Sequence, residues 1–365
     1  MDCHPDWVCT STIIVKYLCD AYTNLREQQT GTISYVGRRL LLIIPVILGV
    51  TLVTFVISFV TVPNPVRAWA GPRATPGAIA ALSARYHLHD PIYMQYYWYT
   101  VNLVTGNWGL VPSSGREVLS DIALFFPATL ELAFTSLLIV ILIGIPLGFL
   151  AATYRGRMPD HLIRFFYLGA YCSPPFFVAL LMILIFGYTL RIFPTQGELS
   201  ASLNFPAHIT GMVIIDSLLT QNWPDFTDAV WHIVLPATSL SMLYFGIITR
   251  VTRASLLEIL EKDFIRAAFA KGLGKRTVLL KHGLRNAMIP TVTILGVLLG
   301  GLLSGSVVIE TIFQWPGIGL YLERSILSFD FPSIVGVAVL ITLGVVTANL
   351  VADILYALID PRIKV

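Results

Sequence analysis

Residues 132–153 read Leu-Ala-Phe-Thr-Ser-Leu-Leu-Ile-Val-Ile-Leu-Ile-Gly-Ile-Pro-Leu-Gly-Phe-Leu-Ala-Ala-Thr, without one charged side chain. The hydrocarbon core of a bilayer, about 30 Å thick, is crossed by about 20 apolar residues of helix. Lipid offers the backbone no hydrogen-bond partner, so such a span must bond to itself and is helical. Five further stretches pass the same test: residues 40–60, 165–190, 229–249, 286–309 and 331–352. A buried helix of a water-soluble protein imitates one of these, not six. Pro45, Pro146, Pro174, Pro175, Pro236 and Pro290 predict kinks or unwound turns within the spans or at their ends. The fold class expected is all-α, a polytopic membrane protein with six transmembrane helices.

Composition agrees. Of 365 residues 56% are hydrophobic and 12% charged, half the charge of a typical soluble domain, and the mean hydropathy is +0.76. A net charge of +3 is too weak a footprint for nucleic acid, so no nucleic-acid partner is expected. Placement of charge says more than its sum. With the N-terminus inside, the inner segments hold 18 of the 24 Lys and Arg, and the outer segments hold eleven of the 21 acids. The sharpest contrast is nine basic residues in 250–285 against one in 310–330. Both termini are thereby expected in the cytoplasm, and the chain as a multi-pass protein of the cell membrane.

Residues 1–33 lack the apolar core of a signal peptide and carry Asp2, Asp6, Asp20 and Glu27. The expectation is a disordered cytoplasmic extension, or a leader added by placing the start codon too early. Cys3, His4, Cys9 and Cys19 match no zinc-ligand spacing, and no metal site is expected. The remaining division is a first span at 34–62, an extracytoplasmic lobe at 63–127, and a transmembrane domain at 128–365. In the lobe, helix is expected over 76–85, and an aromatic cluster runs from Tyr93 to Tyr99.

Residues 250–290 read Arg-Val-Thr-Arg-Ala-Ser-Leu-Leu-Glu-Ile-Leu-Glu-Lys-Asp-Phe-Ile-Arg-Ala-Ala-Phe-Ala-Lys-Gly-Leu-Gly-Lys-Arg-Thr-Val-Leu-Leu-Lys-His-Gly-Leu-Arg-Asn-Ala-Met-Ile-Pro. Apolar residues recur at Leu256/Leu257, Leu260, Phe264 and Ala267/Ala268, the helical period. Gly272-Leu273-Gly274 then permits a sharp turn. A helix, a glycine turn and a second helix would protrude on the cytoplasmic side, joined to two spans. Such a knob transmits motion from a partner that grips it. On composition alone, a solvated basic loop lying on anionic headgroups accounts for it equally well.

Asp263-Phe264-Ile265-Arg266-Ala267-Ala268-x-Ala270-Lys271-Gly272-Leu273, followed by His282-x-Leu284-Arg285-Asn286-Ala287-x-x-Pro290, resembles the signature cytoplasmic loop of ABC-importer permeases. The resemblance is to the dipeptide/oligopeptide/nickel permease family, in its B-type subunit, over residues 34–365. Corroborating matches are Arg38-Arg39-Leu40, Tyr86-x-Leu88-x-Asp90-Pro91 with Gln95-Tyr96, Pro127-Ala128-Thr129-Leu130-Glu131-Leu132, Glu310-Thr311-Ile312-Phe313-x-x-Pro316-Gly317-x-Gly319, and Asn349-x-x-x-Asp353 with Asp360-Pro361-Arg362-Ile363. Two departures fall in the outer lobe: Pro63-Asn64-Pro65 and Gly106-Asn107-Trp108-Gly109 each lack an acid usual in the family.

The resemblance implies the type I importer fold, importing peptides or related small solutes by alternating access. It implies a second homologous permease subunit, two cytoplasmic ATPase subunits and an extracytoplasmic substrate-binding protein. Carried onto this chain, the ATPase-docking loop comprises Asp263, Arg266, Ala267, Ala268, Lys271, Gly272, Leu273 and Gly274, with glycine at 272 because a side chain would obstruct the turn.

Other signals are weaker. Gly274-Lys275 with Thr277 imitates a phosphate loop, but Phe269 and Arg276 stand where the pattern needs glycine and Ser or Thr. The chain is therefore expected to bind no cofactor, ATP and Mg being used by the partner subunits. No catalytic set shares a depth in the membrane, and an enzyme is not expected. Gly296, Gly300, Gly301 and Gly305 allow close helix approach, read as packing on the partner permease. Glu310 is read as a charge at the membrane interface. Asn349, polar within the last span, is a candidate for lining the pathway or bonding a neighbouring helix. The alternative, a secondary ion-coupled transporter, usually carries midspan ionisable groups and inverted repeats, and neither is found.

Overall fold

The computed structural model describes residues 32–56, 75–85, 87–111, 115–203, 205–328 and 330–359. Of the extension expected at 1–33, residues 1–31 lie outside them, as do the Pro63-Asn64-Pro65 departure and the 360–363 ending. Among the described residues the chain is helical, with one isolated bridge between Leu110 and Glu117 and no sheet. The elements are α1 (Thr32–Phe55), α2 (Pro76–Arg85), α3 (Ile92–Val104), α4 (Val118–Thr153), α5 (Met158–Cys172), α6 (Pro175–Met182), α7 (Val213–Leu219), α8 (Trp223–Leu260), α9 (Asp263–Ala270), α10 (Lys275–Phe313), α11 (Ile318–Leu327) and α12 (Phe331–Ile359).

Four helices, α4, α8, α10 and α12, are long and apolar enough to cross a bilayer unbroken. The third expected span is not a straight helix. Pro174 cannot donate to the ladder, and Ser173 before it is forced to extended backbone. The chain breaks there, and α5 meets the segment Pro175–Thr189 at 110°. Helix α4 runs from Val118 through Pro127, across the boundary expected between the lobe and the transmembrane domain. The helix expected over 76–85 forms as read. Tyr96 and Tyr99 of α3 meet the hydroxyls of Thr51 and Thr54 at 3.1 Å each, so the aromatic cluster ties the lobe to α1.

The core lies where α4, α8 and α10 meet, filled by Leu132, Leu235, Leu240, Leu302 and Ile309. Small residues set how closely these helices approach. A Cβ on Gly148 of α4 would lie 2.7 Å from the Thr249 carbonyl oxygen of α8. Gly148→Ala is therefore expected to destabilise the chain by about 1–3 kcal/mol through overpacking, read as a lowered thermal midpoint in detergent.

The glycines of the fifth span are used inside the chain. Gly296 and Gly300 pack on Ala352 and Val345 of α12, while Gly301 and Gly305 pack on Tyr244 of α8, whose hydroxyl donates to the Gly301 carbonyl at 2.8 Å. Both faces are thus occupied by neighbouring helices of the same subunit, which corrects their assignment to a partner permease.

At the opposite end from residues 250–285, two motifs far apart in sequence lock together. Trp315 is buried and its indole donates to the Ala128 carbonyl at 3.0 Å. The Ile318 N–H donates to Thr129 Oγ1 at 2.8 Å, and the Gly319 N–H donates to Glu310 Oε2 at 2.6 Å. Gly317 lies so close that a side chain there would strike Glu310 and Thr129. Glu310 is fully buried within this latch, not a charge at the interface as expected. The buried Glu198 lies beside it; desolvation, then the nearby carboxyls of Glu131 and Glu310, push Glu198 up to about 9.

Candidate functional site: the protruding elbow

Helix α8 has 38 residues and α10 has 39, each about 57 Å long at 1.5 Å per residue. Neither fits within a hydrocarbon layer of about 30 Å. Their excess projects from one side and carries α9 and the glycine turn between them. The stem formed by α8 is fixed on three sides. Thr249 donates to the Gly144 carbonyl of α4 at 3.2 Å, and Thr252 meets Thr291 of α10 at 3.2 Å. Toward α5, Arg253 donates twice to Asp160, Nε at 2.8 Å and Nη2 at 2.9 Å.

Asp160 is 0% exposed. It also accepts from the Gly156 N–H at 2.9 Å and pairs with Arg164 at 3.4 Å. One carboxylate therefore joins the α4–α5 turn, α5 and the elbow's stem. Two-point guanidinium–carboxylate pairing fixes orientation as well as distance. Nothing in the spacing of residues 160 and 253 signals this contact in the sequence.

Helix α8 stops at Leu260, and Glu261 and Lys262 interrupt the helix before α9 begins at Asp263. In α9, Ile265 (1% exposed) and Ala268 (7%) turn inward onto Val278, Ile259 and Leu260. At its end Gly272 adopts φ +77°; its N–H donates to the Phe269 carbonyl at 2.9 Å and that of Leu273 to Ala268 at 3.3 Å. Those two bonds with a left-handed residue are a Schellman C-cap. Glycine is required there by this backbone conformation, since a Cβ at Gly272 would meet nothing within 4 Å of its own chain. That corrects the expected reason, obstruction of the turn.

Of the docking residues expected from sequence, Asp263, Arg266, Ala267, Lys271, Gly272, Leu273 and Gly274 are brought together on the exposed surface. Ala268 is not among them, being part of the elbow's own small core. The surface also presents two residues that sequence reading had placed otherwise or omitted, Phe264 (45% exposed) and Phe269 (46%), with Leu273 at 39%. Asn349 lies far away on α12, exposed. Among the described residues no group of His, Cys, Asp or Glu is arranged to hold a metal ion.

Comparison with known proteins places this architecture. Residues 144–365 match the family described as binding-protein-dependent transport system inner membrane component, and residues 32–133 match its N-terminal model. The chain is 42% identical to the probable D,D-dipeptide transport system permease protein DdpB of Escherichia coli (strain K12), over 87% of this chain and 94% of that protein. It is 38% identical to the di/tripeptide transport system permease protein DppB of Pseudomonas aeruginosa (strain UCBPP-PA14), over 91% and 99%. It is 35% identical to the glutathione transport system permease protein GsiC of Escherichia coli (strain K12), again over 91% and 99%. The chain belongs to the binding-protein-dependent transport system inner membrane component family and is a multi-pass membrane permease of an ABC importer.

Proposed function

We propose that this chain forms half of the pathway of an importer for peptides of the dipeptide or oligopeptide class. A second homologous permease completes the pathway, two cytoplasmic ATPases grip the elbow, and an extracytoplasmic binding protein delivers cargo. ATP and Mg act on the ATPases, and this chain binds no cofactor and catalyses no reaction. Both termini lie in the cytoplasm, on the side of the elbow. The peptide class rests on the relatives named for D,D-dipeptides, di/tripeptides and glutathione.

The observation that carries the mechanism is the elbow itself, an exposed apolar tip on a stem anchored to α4, α5 and α10. Movement imposed at Phe264, Phe269 and Leu273 reaches the spans through the packing of α9 on Ile259, Leu260 and Val278 and through the anchored stem. A permease has no fuel of its own, so the states it visits are selected by the partner's nucleotide. Asp263, Arg266, Ala267, Lys271, Gly272, Leu273 and Gly274 form the seat around those apolar anchors, and Asn349 lines the pathway or bonds a neighbouring helix.

The test is uptake of labelled dipeptide by proteoliposomes holding the whole complex. Import is expected to require ATP and to survive a protonophore. Import without nucleotide that collapses with the proton gradient would identify an ion-coupled transporter instead. Phe264→Ser with Phe269→Ser is expected to leave insertion and the thermal midpoint within error, because neither ring is in the core, and to lower uptake at least tenfold. Co-purification of the ATPases at wild-type yield and unchanged uptake would remove these rings from the seat.

A further inference from the structure

Beside the elbow, on the same side, lies a cleft of about 710 Å³ that the docking surface does not use. Its walls come from the end of α4 and the following turn (Phe149, Thr153, Tyr154, Arg155, Arg157) and from the start of α10 (Lys275, Arg276, Leu279, Leu280). Four cations line one cavity. Arg155 reaches Glu261 at 3.2 Å, whereas Arg157, Lys275 and Arg276 pair with no carboxylate among the described residues. Helix α10 also begins here, at Lys275, and its N-cap residue Gly274 has no side chain to cap the first amide groups. Free backbone N–H groups and the positive end of the helix dipole add to the same field.

The cleft is not uniformly polar. Phe149, Leu279 and Leu280 form an apolar floor, and α4 continues from Phe149 into the membrane as an apolar helix whose Leu150 and Leu142 are exposed. A soluble anion would satisfy the cations and leave that floor wet. A molecule with a phosphate head and hydrocarbon tails satisfies both, its head among Arg157, Lys275 and Arg276 and its tails along α4.

We infer that this cleft is a binding site for an anionic phospholipid headgroup. The occupant is held at the junction of the α4–α5 turn with the second limb of the elbow, which are the two parts that must keep register when the elbow is pushed. Bound lipid would neutralise the repulsion among cations gathered there.

The experiment uses the complete importer in nanodiscs of phosphatidylcholine alone or with phosphatidylglycerol, with retained lipid counted by native mass spectrometry. A nanodisc offers both leaflets, so the result does not depend on which way the chain faces. Wild type is expected to retain phosphatidylglycerol in preference, and Arg157→Gln with Lys275→Gln and Arg276→Gln to lose that retention by about a hundredfold in affinity, three headgroup-facing cations being removed. Equal retention by both forms overturns the inference. Displacement of the lipid by millimolar inorganic phosphate also overturns it, since the cleft is then a site for a soluble anion. Should the triple variant not assemble, photoreactive phosphatidylglycerol on the wild type decides. Labelling of residues 149–157 and 275–280 above that by photoreactive phosphatidylcholine supports the site, and equal labelling overturns it.

Discussion

Gly272→Trp is expected to abolish peptide uptake while the permease still inserts and assembles its spans. The residue holds φ +77° at the end of α9, where an L side chain costs about 1–2 kcal/mol. That cost is too small to unfold the transmembrane core, and the space around the missing Cβ is open within the chain. The indole would instead project from the elbow's tip into the proposed seat on the ATPase. Gly272→Asn separates the two causes, since asparagine tolerates the left-handed region and is small; it is expected to retain much of the uptake. Uptake at the wild-type rate by the tryptophan variant would show that nothing docks on the turn.

Asp160→Ala is expected to damage the chain from within. Removing the carboxylate strands Arg253 and frees the Gly156 N–H, and breaking a buried ion pair in this way costs about 3–5 kcal/mol. The variant should show a lowered thermal midpoint in detergent and little uptake. Asp160→Leu combined with Arg253→Met replaces the pair with apolar bulk, which is often nearly neutral. The double variant is expected to recover most of the thermal stability, and the coupling between the two sites is the difference from the single variants. A wild-type midpoint for Asp160→Ala would mean that the stem is held by its packing and hydroxyl contacts alone.

The spans were legible because a charge inside lipid is costly, so a run such as 132–153 has few alternatives. The break at Ser173–Pro174 was half legible: two adjacent prolines announce a kink, but their spacing does not give its 110° angle. The apolar stripe of 256–268 misled in a specific way. Its spacing predicts one helix in one phase, whereas Glu261 and Lys262 interrupt the helix and reset the phase, so Ile265 and Ala268 turn inward and Phe264 turns out. The glycine faces of the fifth span were legible as close approach, yet a pattern of small residues does not name what approaches. Tyr244, Val345 and Ala352 of the same chain do so here. The Arg253–Asp160 pair was invisible, being a product of tertiary packing across 93 residues.

The latch of Trp315 on Ala128 and of Ile318 on Thr129 stitches the rim of α4 to the turn after α10, and Glu310 closes the seam from beneath. A seam sewn this tightly does not gape. In the two-permease pathway proposed above, widening on that side comes from whole subunits tilting apart, as two doors swing on separate jambs. A covalent staple confined to one door should leave traffic through the doorway unimpeded.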